Sequence, residues 1–460
     1  MRAGVAAGHP ATCEAGLEIL RAGGSAADAA VAAALASCVA ETVMTGLLGG
    51  GHAIHWEAAS RSVRNLDCFV AQPLDRAEMV ALEVPFGEEL VHYAVGPASF
   101  GVPGLPAGLR ALSRAYGRLP WTELVEPALR LARSGVALPS AHARCLAMLA
   151  PVMTMNEGAR IYAPGGRLLG AGEELQQPGL VHALELVRDE GPETVYEGTI
   201  AEAIVSLCES RGGVVGRRDL AGYDAVWADP VEVAYLGTRF HSRAGLSGVP
   251  QTLVRLPELR ERGEVHRVTA LLRALGDDAP LPDSHTTNVV TVDEDGNACV
   301  LTTSLGLGSG DFVTGLDLHL NSMLGETDLI REDQEPGERL GSMMAPSIAV
   351  DGHGLALAIG AAGGTRLRTA LVGVAAGVLD EGLDAQVAVD RPRFHPVAGL
   401  LNAEPGVPAE ALAELERSGW TIRVWPDRHH YFGGVSAIAR SGPAADPRRS
   451  GAAATLHHVS

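Results

Sequence analysis

Thr286 is the residue of this chain whose type and position best suit nucleophilic chemistry. It opens the run Thr286-Thr-Asn-Val-Val-Thr-Val292, which is typical of a buried strand. If the chain is cut before Thr286, that residue gains an α-amine, whose pKa is near ~7.7–8.0 against ~10.4 for lysine. Such an amine is partly neutral at physiological pH and can act as base for the hydroxyl of the same residue. The sequence therefore predicts a chain that cleaves itself between His285 and Thr286.

A pair of glycines further along the chain suits the stabilisation of an oxyanion. Gly363 and Gly364 lie in the stretch Gly360-Ala-Ala-Gly-Gly-Thr-Arg366. Glycine permits unusual backbone angles and a close approach, so the two N–H groups can point at a developing negative charge. Taken alone, both patterns are also ordinary, because threonines are frequent in strands and paired glycines in turns. These residues by themselves leave a purely structural role open.

The elements around these residues are predicted to alternate between helices and antiparallel hairpins. Helices are expected at residues 9–20, 26–39, 107–116, 179–187, 199–209, 258–275 and 369–381. Strands are expected at residues 52–57, 63–70, 231–239, 286–292, 298–303, 347–350, 355–360 and 435–440. Ser25 is expected to cap the second helix. Helical blocks around hairpins predict a layered sandwich of helices and sheets.

Composition excludes several classes of partner. The chain has 460 residues, 47% of them hydrophobic, and a formal net charge of −19, which disfavours nucleic acid and anionic membranes. Its six cysteines form no CxxC pair and are expected to be buried thiols in a reducing compartment. The apolar run 29–40 is too short to cross a bilayer. A cytoplasmic protein is therefore expected.

Neither a metal nor a cofactor is expected. His429 and His430 are adjacent, so their side chains point apart on a strand, and no carboxylate cluster is near them in sequence. The glycine-rich loop Gly306-Leu-Gly-Ser-Gly310 resembles a nucleotide-binding loop. The glycine turn at 45–51 could bind phosphate, but it lacks the Lys-Ser/Thr of a P-loop. A turn or a pocket wall is the better interpretation of both.

The chain resembles the γ-glutamyltranspeptidase family of N-terminal-nucleophile hydrolases. Two of the matching motifs are Gly363-Gly-Thr-Arg366 and Arg391-Pro-Arg-Phe-His395. The other matching blocks, in the same order as in the family, are residues 14–30, 101–104, 116–121, 126–133, 196–201, 219–223, 286–298, 344–346 and 446–449. The resemblance covers nearly the whole chain except residues 236–282.

The resemblance implies a fold and a set of roles. The fold would be α+β, a four-layer αββα sandwich, processed into a large segment 1–285 and a small segment 286–460 that remain one structural unit. Thr286 would be the nucleophile, Gly363 and Gly364 the oxyanion glycines, and Ser304 the hydroxyl that supports the nucleophile. The partners would be a small-molecule substrate and the two fragments of one chain, with a homodimer of processed heterodimers as a possible assembly.

The residues that would bind a γ-glutamyl group depart from the family pattern. Phe69 stands where the family has an arginine that grips a carboxylate, and phenylalanine cannot make that contact. The other members of the expected substrate pocket are Gly306 for an asparagine, Met323 for a glutamine, Glu326 for an aspartate, the retained Ser342, and Met343 for a second serine. Several changes on one recognition surface predict a substrate that is not a standard γ-glutamyl peptide.

Three functions follow from this pattern and remain open. The first is a self-processing threonine hydrolase of bacterial specialised metabolism that cleaves an amide or a C–C bond, as in the oxalate release attributed to relatives that make 4-alkylproline units. The second is a conventional γ-glutamyltransferase or glutathione hydrolase. The third is an inactive relative that binds a ligand or scaffolds a complex. Arg110 and Arg366 are spare cations that could serve an acidic substrate, although structural salt bridges are the more ordinary role.

Overall fold

The computed structural model describes residues 1–86, 89–276, 286–326, 329–331 and 333–456. The helices are α1 Pro10–Arg21, α2 Ala26–Ala40, α3 Leu105–Tyr116, α4 Trp121–Ser134, α5 Ser140–Met153, α6 Gly158–Tyr162, α7 Pro178–Asp189, α8 Thr199–Arg211, α9 Arg217–Ala221, α10 Val249–Arg255, α11 Glu264–Leu275, α12 Arg366–Leu379, α13 Ala385–Asp390 and α14 Ala409–Arg417. The strands are β1 Gly4–Ala7, β2 Gly50–Glu57, β3 Ser62–Cys68, β4 Val80–Phe86, β5 Glu89–Val95, β6 Val136–Ala137, β7 Glu174–Leu175, β8 Val226–Ala228, β9 Val231–Tyr235, β10 Thr238–Ser242, β11 Thr287–Val292, β12 Ala298–Ser304, β13 Phe312–Val313, β14 Leu318–His319, β15 Ser347–Asp351, β16 Gly354–Ala362, β17 Phe394–Val397, β18 Leu400–Ala403, β19 Thr421–Val424, β20 Gly434–Ala439, β21 Gly442–Ala445 and β22 Ala452–Thr455.

Two large antiparallel sheets form the centre of the molecule. The first has the strand order β22-β1-β11-β12-β2-β3-β8, and the second has the order β21-β20-β16-β15-β10-β9. β11 therefore lies inside the first sheet, between β1 and β12. β16 lies inside the second sheet, between β15 and β20. A side chain at the end of either strand is held by neighbours on both sides.

The alternation of side chains along β11 separates two cores. Val290 and Val292 pack with Ile348, Val350 and other apolar side chains between the two sheets. Val289, on the opposite face of the strand, packs against the helices that cover the first sheet. Because successive side chains of a strand point to opposite faces, Thr286 belongs to the face between the sheets and Thr287 to the face under the helices.

Helices cover the outer face of each sheet. α2 is buried along its whole length, and its alanines let α1 and α4 approach closely. Ser25 caps α2 in a capping box with Asp28, as the sequence predicts. A second helical layer, which includes α10, α11 and α12, packs on the other sheet. The predicted four-layer αββα fold is confirmed.

Several predicted element boundaries are wrong. Residues 231–239 were expected to be one strand but form two, because Leu236 and Gly237 turn the chain with φ angles of 45° and 80°. The helix expected at 258–275 begins only at Glu264, since Glu261 and Gly263 both have positive φ. α12 begins at Arg366 and not at residue 369. The hairpin of β4 and β5 was not predicted at all.

The cysteines and the apolar run 29–40 were expected to be buried inside the protein. All six cysteines are buried and free, as predicted. Within the described ranges, no helix is long and apolar enough to cross a membrane.

Candidate active site

Thr286 lies at the end of the first sheet, where β11 begins. It is only 2% exposed. Thr287 is paired with Thr303 across β11 and β12, so the antiparallel register places Thr286 beside Ser304. Ser304 is 1% exposed, and its Oγ accepts a hydrogen bond of 3.0 Å from the N–H of Gly306. The two hydroxyls therefore belong to neighbouring strands at one end of the sandwich.

The glycine pair lies at the end of a strand in the second sheet. β16 ends at Ala362 and α12 begins at Arg366, so Gly363 and Gly364 form the turn between them. Their φ angles are +128° and +53°, which residues other than glycine rarely adopt. A Cβ on Gly363 would also lie 2.8 Å from the Cα of Gly433. The turn precedes the N-terminus of a 14-residue helix, whose dipole favours negative charge there.

One cavity lies between the start of β11 in the first sheet and the end of β16 in the second sheet. Thr286, Ser304 and Gly364 share it with the predicted pocket residues Phe69, Met323, Glu326, Ser342 and Met343, and with Leu329, Met344 and Leu367. Gly306 does not line the cavity but lies against it, because a Cβ there would be 3.0 Å from Oε1 of Glu326. Gly363, the residue before Gly364, does not line the cavity either. His285 lies outside the described residues.

Apolar side chains dominate this cavity. Phe69, Leu329, Leu367 and three methionines contribute most of the wall, and none of the described lining residues is an arginine or a lysine. Three of these side chains, Leu329, Met344 and Leu367, were not predicted from the sequence. Met344 belongs to the matched family block 344–346, and Leu367 directly follows the block 363–366, so the family resemblance could have indicated both. No matched block lies next to Leu329.

Phe69 is held rigidly in the wall. Its carbonyl accepts a 2.6 Å hydrogen bond from the Tyr223 hydroxyl, and its N–H donates to Asp67 at 2.9 Å. Its ring stacks on His52 with 5.4 Å between centroids. Burial lowers the pKa of His52 to about 3, so this imidazole adds no charge to the wall.

Two arginines near Phe69 form ion pairs with Asp67. Arg243 and Arg339 each place a nitrogen 3.9 Å from the Asp67 carboxylate. Arg243 also donates to the carbonyl of Ser342 at 2.9 Å. The charges of these two arginines are therefore already paired with the Asp67 carboxylate, and Arg243 is also bonded to a backbone carbonyl.

Glu326 is the one acid that lines the cavity among the described residues. It is 2% exposed, and neither carboxyl oxygen has a hydrogen-bond partner in the described part of the protein. Burial raises its pKa from 4.5 to about 8. At neutral pH this side chain is mainly a neutral carboxylic acid, which can donate one hydrogen bond and accept others.

The remaining sequence candidates lie elsewhere. Arg110 pairs with Glu193 at 3.1 Å, and Arg366 donates to the carbonyl of Tyr431 at 2.8 Å. His429 accepts a hydrogen bond from the N–H of Tyr431. Among the residues that the structure describes, no group of three or more His, Cys, Asp or Glu side chains could hold a metal ion.

Two antiparallel sheets between helical layers, with a threonine where a central strand begins, define the fold of the N-terminal-nucleophile hydrolases. The chain belongs to the gamma-glutamyltranspeptidase family, whose sequence model matches residues 12–265 and 262–456. The chain is accordingly an enzyme of the hydrolase and acyltransferase class.

Individual relatives include acylases and glutathione hydrolases. The chain is 27% identical to the acylase ACY 1 proenzyme of Pseudomonas sp. (strain V22), covering 95% of this chain and 89% of the relative. It is 25% identical to the glutathione hydrolase proenzyme of Escherichia coli (strain K12), covering 88% and 83%. Among solved structures, the cephalosporin acylase from Bacillus halodurans matches with a TM-score of 0.86 at 24% identity, covering 99% and 96%, and LmbA2991HD matches with 0.82 at 23%, covering 98% of both chains. These structural likenesses concern the fold.

Proposed function

We propose that the chain cleaves itself before Thr286 and then hydrolyses an amide of a small molecule that is not a γ-glutamyl compound. In self-cleavage, the Thr286 hydroxyl attacks the carbonyl carbon of His285, the amide becomes an ester, and water hydrolyses the ester. The large segment 1–285 and the small segment 286–460 are then held together by the shared fold. The new α-amine of Thr286 is the base for its own hydroxyl in the second reaction.

The placement of Thr286 and Gly364 in one cavity is the observation that carries this proposal. The hydroxyl comes from the first sheet and the glycine turn from the second, and both face the same space. When the hydroxyl attacks a substrate carbonyl, the N–H groups of Gly363 and Gly364 at the start of α12 stabilise the oxyanion. Ser304, on the neighbouring strand, orients the nucleophile.

The lining of the cavity supports a substrate with a largely apolar acyl part. A γ-glutamyl group carries an α-carboxylate, which needs a cation in the pocket, and Phe69 and Met343 offer none. Burial of an unpaired carboxylate costs several kcal/mol, on the order of the whole binding free energy of a small ligand. Glu326, by contrast, offers one site for a hydrogen-bond donor or an amine. The relatives named as acylases agree with an amide substrate of this kind.

Intact mass under denaturing conditions tests the self-cleavage. Purified protein is expected to give two fragments, with the smaller one beginning at Thr286. Thr286→Ala should remain a single inactive chain, and Thr286→Ser, which keeps a hydroxyl, should still be cut. A wild-type chain that stays intact, or a Thr286→Ala protein that is active, would remove the proposal.

A substrate screen then tests the pocket. Amides with apolar acyl groups should be hydrolysed with a higher kcat/KM than a γ-glutamyl anilide. Efficient turnover of the γ-glutamyl anilide would instead indicate a conventional transferase. Release of oxalate from a 2-oxo acid would indicate the C–C cleavage. In that reaction Thr286 attacks the keto carbon, the bond to C3 breaks and C3 takes up a proton, and water then hydrolyses the oxalyl ester on Thr286.

A further inference from the structure

A buried carboxyl group lies under the nucleophile strand, on the side away from the substrate cavity. Glu41 ends α2 and is 1% exposed. Its Oε2 accepts a 2.5 Å hydrogen bond from the Thr287 hydroxyl, and its Oε1 accepts one of 2.6 Å from the Thr12 hydroxyl. Glu41 therefore ties the residue after the nucleophile to the helical layer.

A buried guanidinium contacts the nucleophile residue itself. Arg449 is 5% exposed and donates from Nη1 to the carbonyl of Thr286 and from Nη2 to the carbonyl of His430, both at 3.4 Å. The same Nη2 lies 3.5 Å from the position that a Cβ on Gly363 would take. One side chain thus spans the start of β11 and the glycine turn.

The backbone leaves space for both charged side chains. A Cβ on Gly434 would lie 2.6 Å from Cδ of Arg449. A Cβ on Gly8 would lie 2.6 Å from the Thr287 hydroxyl and would overlap the Glu41 carboxyl. Contacts this short cannot exist, so alanine at either position would displace the buried group. Glycines stand where the two charged groups need room.

Glu41 and Arg449 share one small cavity with Thr286, and they act on each other electrostatically. Asp446 also lines that cavity, but it pairs with Arg393 at 2.6 Å and with Arg448 at 3.2 Å. Of the two described acids that line the cavity, Glu41 is therefore the one whose charge interacts with no described arginine other than Arg449.

We propose that Glu41 and Arg449 are positioning residues that clamp the main chain at 286–287 for self-cleavage and for turnover. This inference rests on the proposed function, in which Thr286 is the nucleophile. With the Thr286 carbonyl and the Thr287 hydroxyl both held, rotation of the Thr286 side chain toward the carbonyl of residue 285 is the main remaining freedom. Holding the reacting groups in such a near-attack arrangement is worth large factors in rate. After cleavage, the Arg449 charge disfavours the ammonium form of the new amine and keeps it available as a base.

The protonation of Glu41 gives the clamp a recognisable pH dependence. Burial raises the pKa of Glu41 to about 7, against the hydrogen bonds from Thr12 and Thr287 and the charge of Arg449, which lower it. Cys38 on the same helix also faces it, and burial raises the pKa of that thiol to about 12. His142 of α5 lines the same cavity, and burial lowers its pKa to about 3. The His9 ring is tilted against it, with 5.5 Å between the ring centroids. Among the described residues that line this cavity, Glu41 is therefore the one whose pKa lies near neutrality, and only its ionised form accepts from both hydroxyls without donating.

The test follows self-cleavage of the full chain after a short pulse of cell-free synthesis. The uncut chain has no α-amine at residue 286, so the pH profile of the cleavage rate reports on other groups. The wild-type rate should rise as the pH increases through about 7. Glu41→Gln should slow cleavage at least tenfold at pH 8 and remove this rise. Unperturbed histidine has a pKa of ~6.5, so the profile is also recorded in a His285→Gln chain, where the rise should persist.

Arginine variants separate positioning from simple stability. Arg449→Met should slow cleavage at least tenfold, and Arg449→Lys should restore part of the rate because it keeps the charge. Arg267→Lys, a change of a remote buried arginine that pairs with Glu264 at 2.8 Å, is the matched control and should cleave at the wild-type rate. Wild-type rates and an unchanged pH profile in Glu41→Gln and Arg449→Met would overturn the inference. If the wild-type chain itself is never cut, the proposed function fails, and the clamp fails with it.

Discussion

Replacing Glu326 with glutamine should shift the difference in unfolding free energy between variant and parent increasingly in favour of the variant as the pH rises. The carboxyl group is buried without a partner among the described residues, and its pKa is about 8, against 4.5 for an ordinary glutamate. Between these two values the folded chain holds a proton that the unfolded chain has lost. Stability therefore falls as the pH rises, by about 1.4 kcal/mol per pH unit. Over the whole interval this amounts to at most about 5 kcal/mol, and the loss is complete above pH 8.

Glutamine removes this dependence because it does not titrate. Its buried amide hydrogens also lack partners, which costs about 1–3 kcal/mol at every pH. The informative quantity is thus the slope with pH of the difference between the two proteins, and its sign is fixed: the variant gains on the parent from pH 4.5 to about 8.

Urea denaturation at pH 5, 6, 7, 8 and 9 measures this slope. Both proteins carry Thr286→Ala, so that each is a single intact chain and the transition does not depend on subunit association. Glu410→Gln, which removes one exposed carboxyl from α14, is the matched control for the loss of a charge. Unfolding free energies of parent and Glu326→Gln that differ by a constant at all five pH values would refute the reasoning, because Glu326 would then not be a buried, partnerless acid.

Two further predictions concern the oxyanion turn and the cavity wall. Gly363→Ala should lower kcat by about 10²–10³-fold, since a Cβ there meets Gly433 at 2.8 Å and the backbone has φ of +128°, whereas Gly373→Ala, inside α12 with open space around it, should leave kcat unchanged. Phe69→Arg should raise kcat/KM for a γ-glutamyl anilide relative to the parent and to Phe69→Leu, because the new guanidinium can contact the α-carboxylate of the substrate, which phenylalanine cannot. A parent enzyme that already turns over the anilide as well as the arginine variant would show that Phe69 does not set the specificity.

Much of the fold could be predicted because local sequence features, such as strand composition, turns and helix caps, indicate the same elements that the structure shows. β11 and β12 are rich in β-branched residues and flank a turn that contains Gly296, and the capping box at Ser25 marks the start of α2. The errors occurred where one residue with positive φ interrupts an otherwise continuous pattern, as at Leu236 and Glu261. Such backbone angles depend on what packs on either side, which a single sequence does not reveal.

The site was less predictable than the fold for a different reason. Phe69, Met323 and Ser342 come from distant parts of the chain, and only family motifs placed them on one surface. The state of Glu326 could not be read from the sequence, because its pKa depends on complete burial. Glu41 gave one weak signal, because it is an acid directly after the apolar run 29–40.

The geometry of a single strand explains how recognition can change while the chemistry stays. Thr286 faces the cavity between the sheets, and Thr287, one residue later, faces Glu41 under the helical layer. Because neighbouring side chains of a strand point apart, Glu41 and Arg449, which we propose to position Thr286, do not line the proposed substrate cavity. Phe69, Met323 and Met343 can therefore replace polar residues in the cavity without disturbing Glu41 or Arg449. This separation is what the proposed function requires, in which the chain keeps the threonine chemistry of its family and acts on a different substrate.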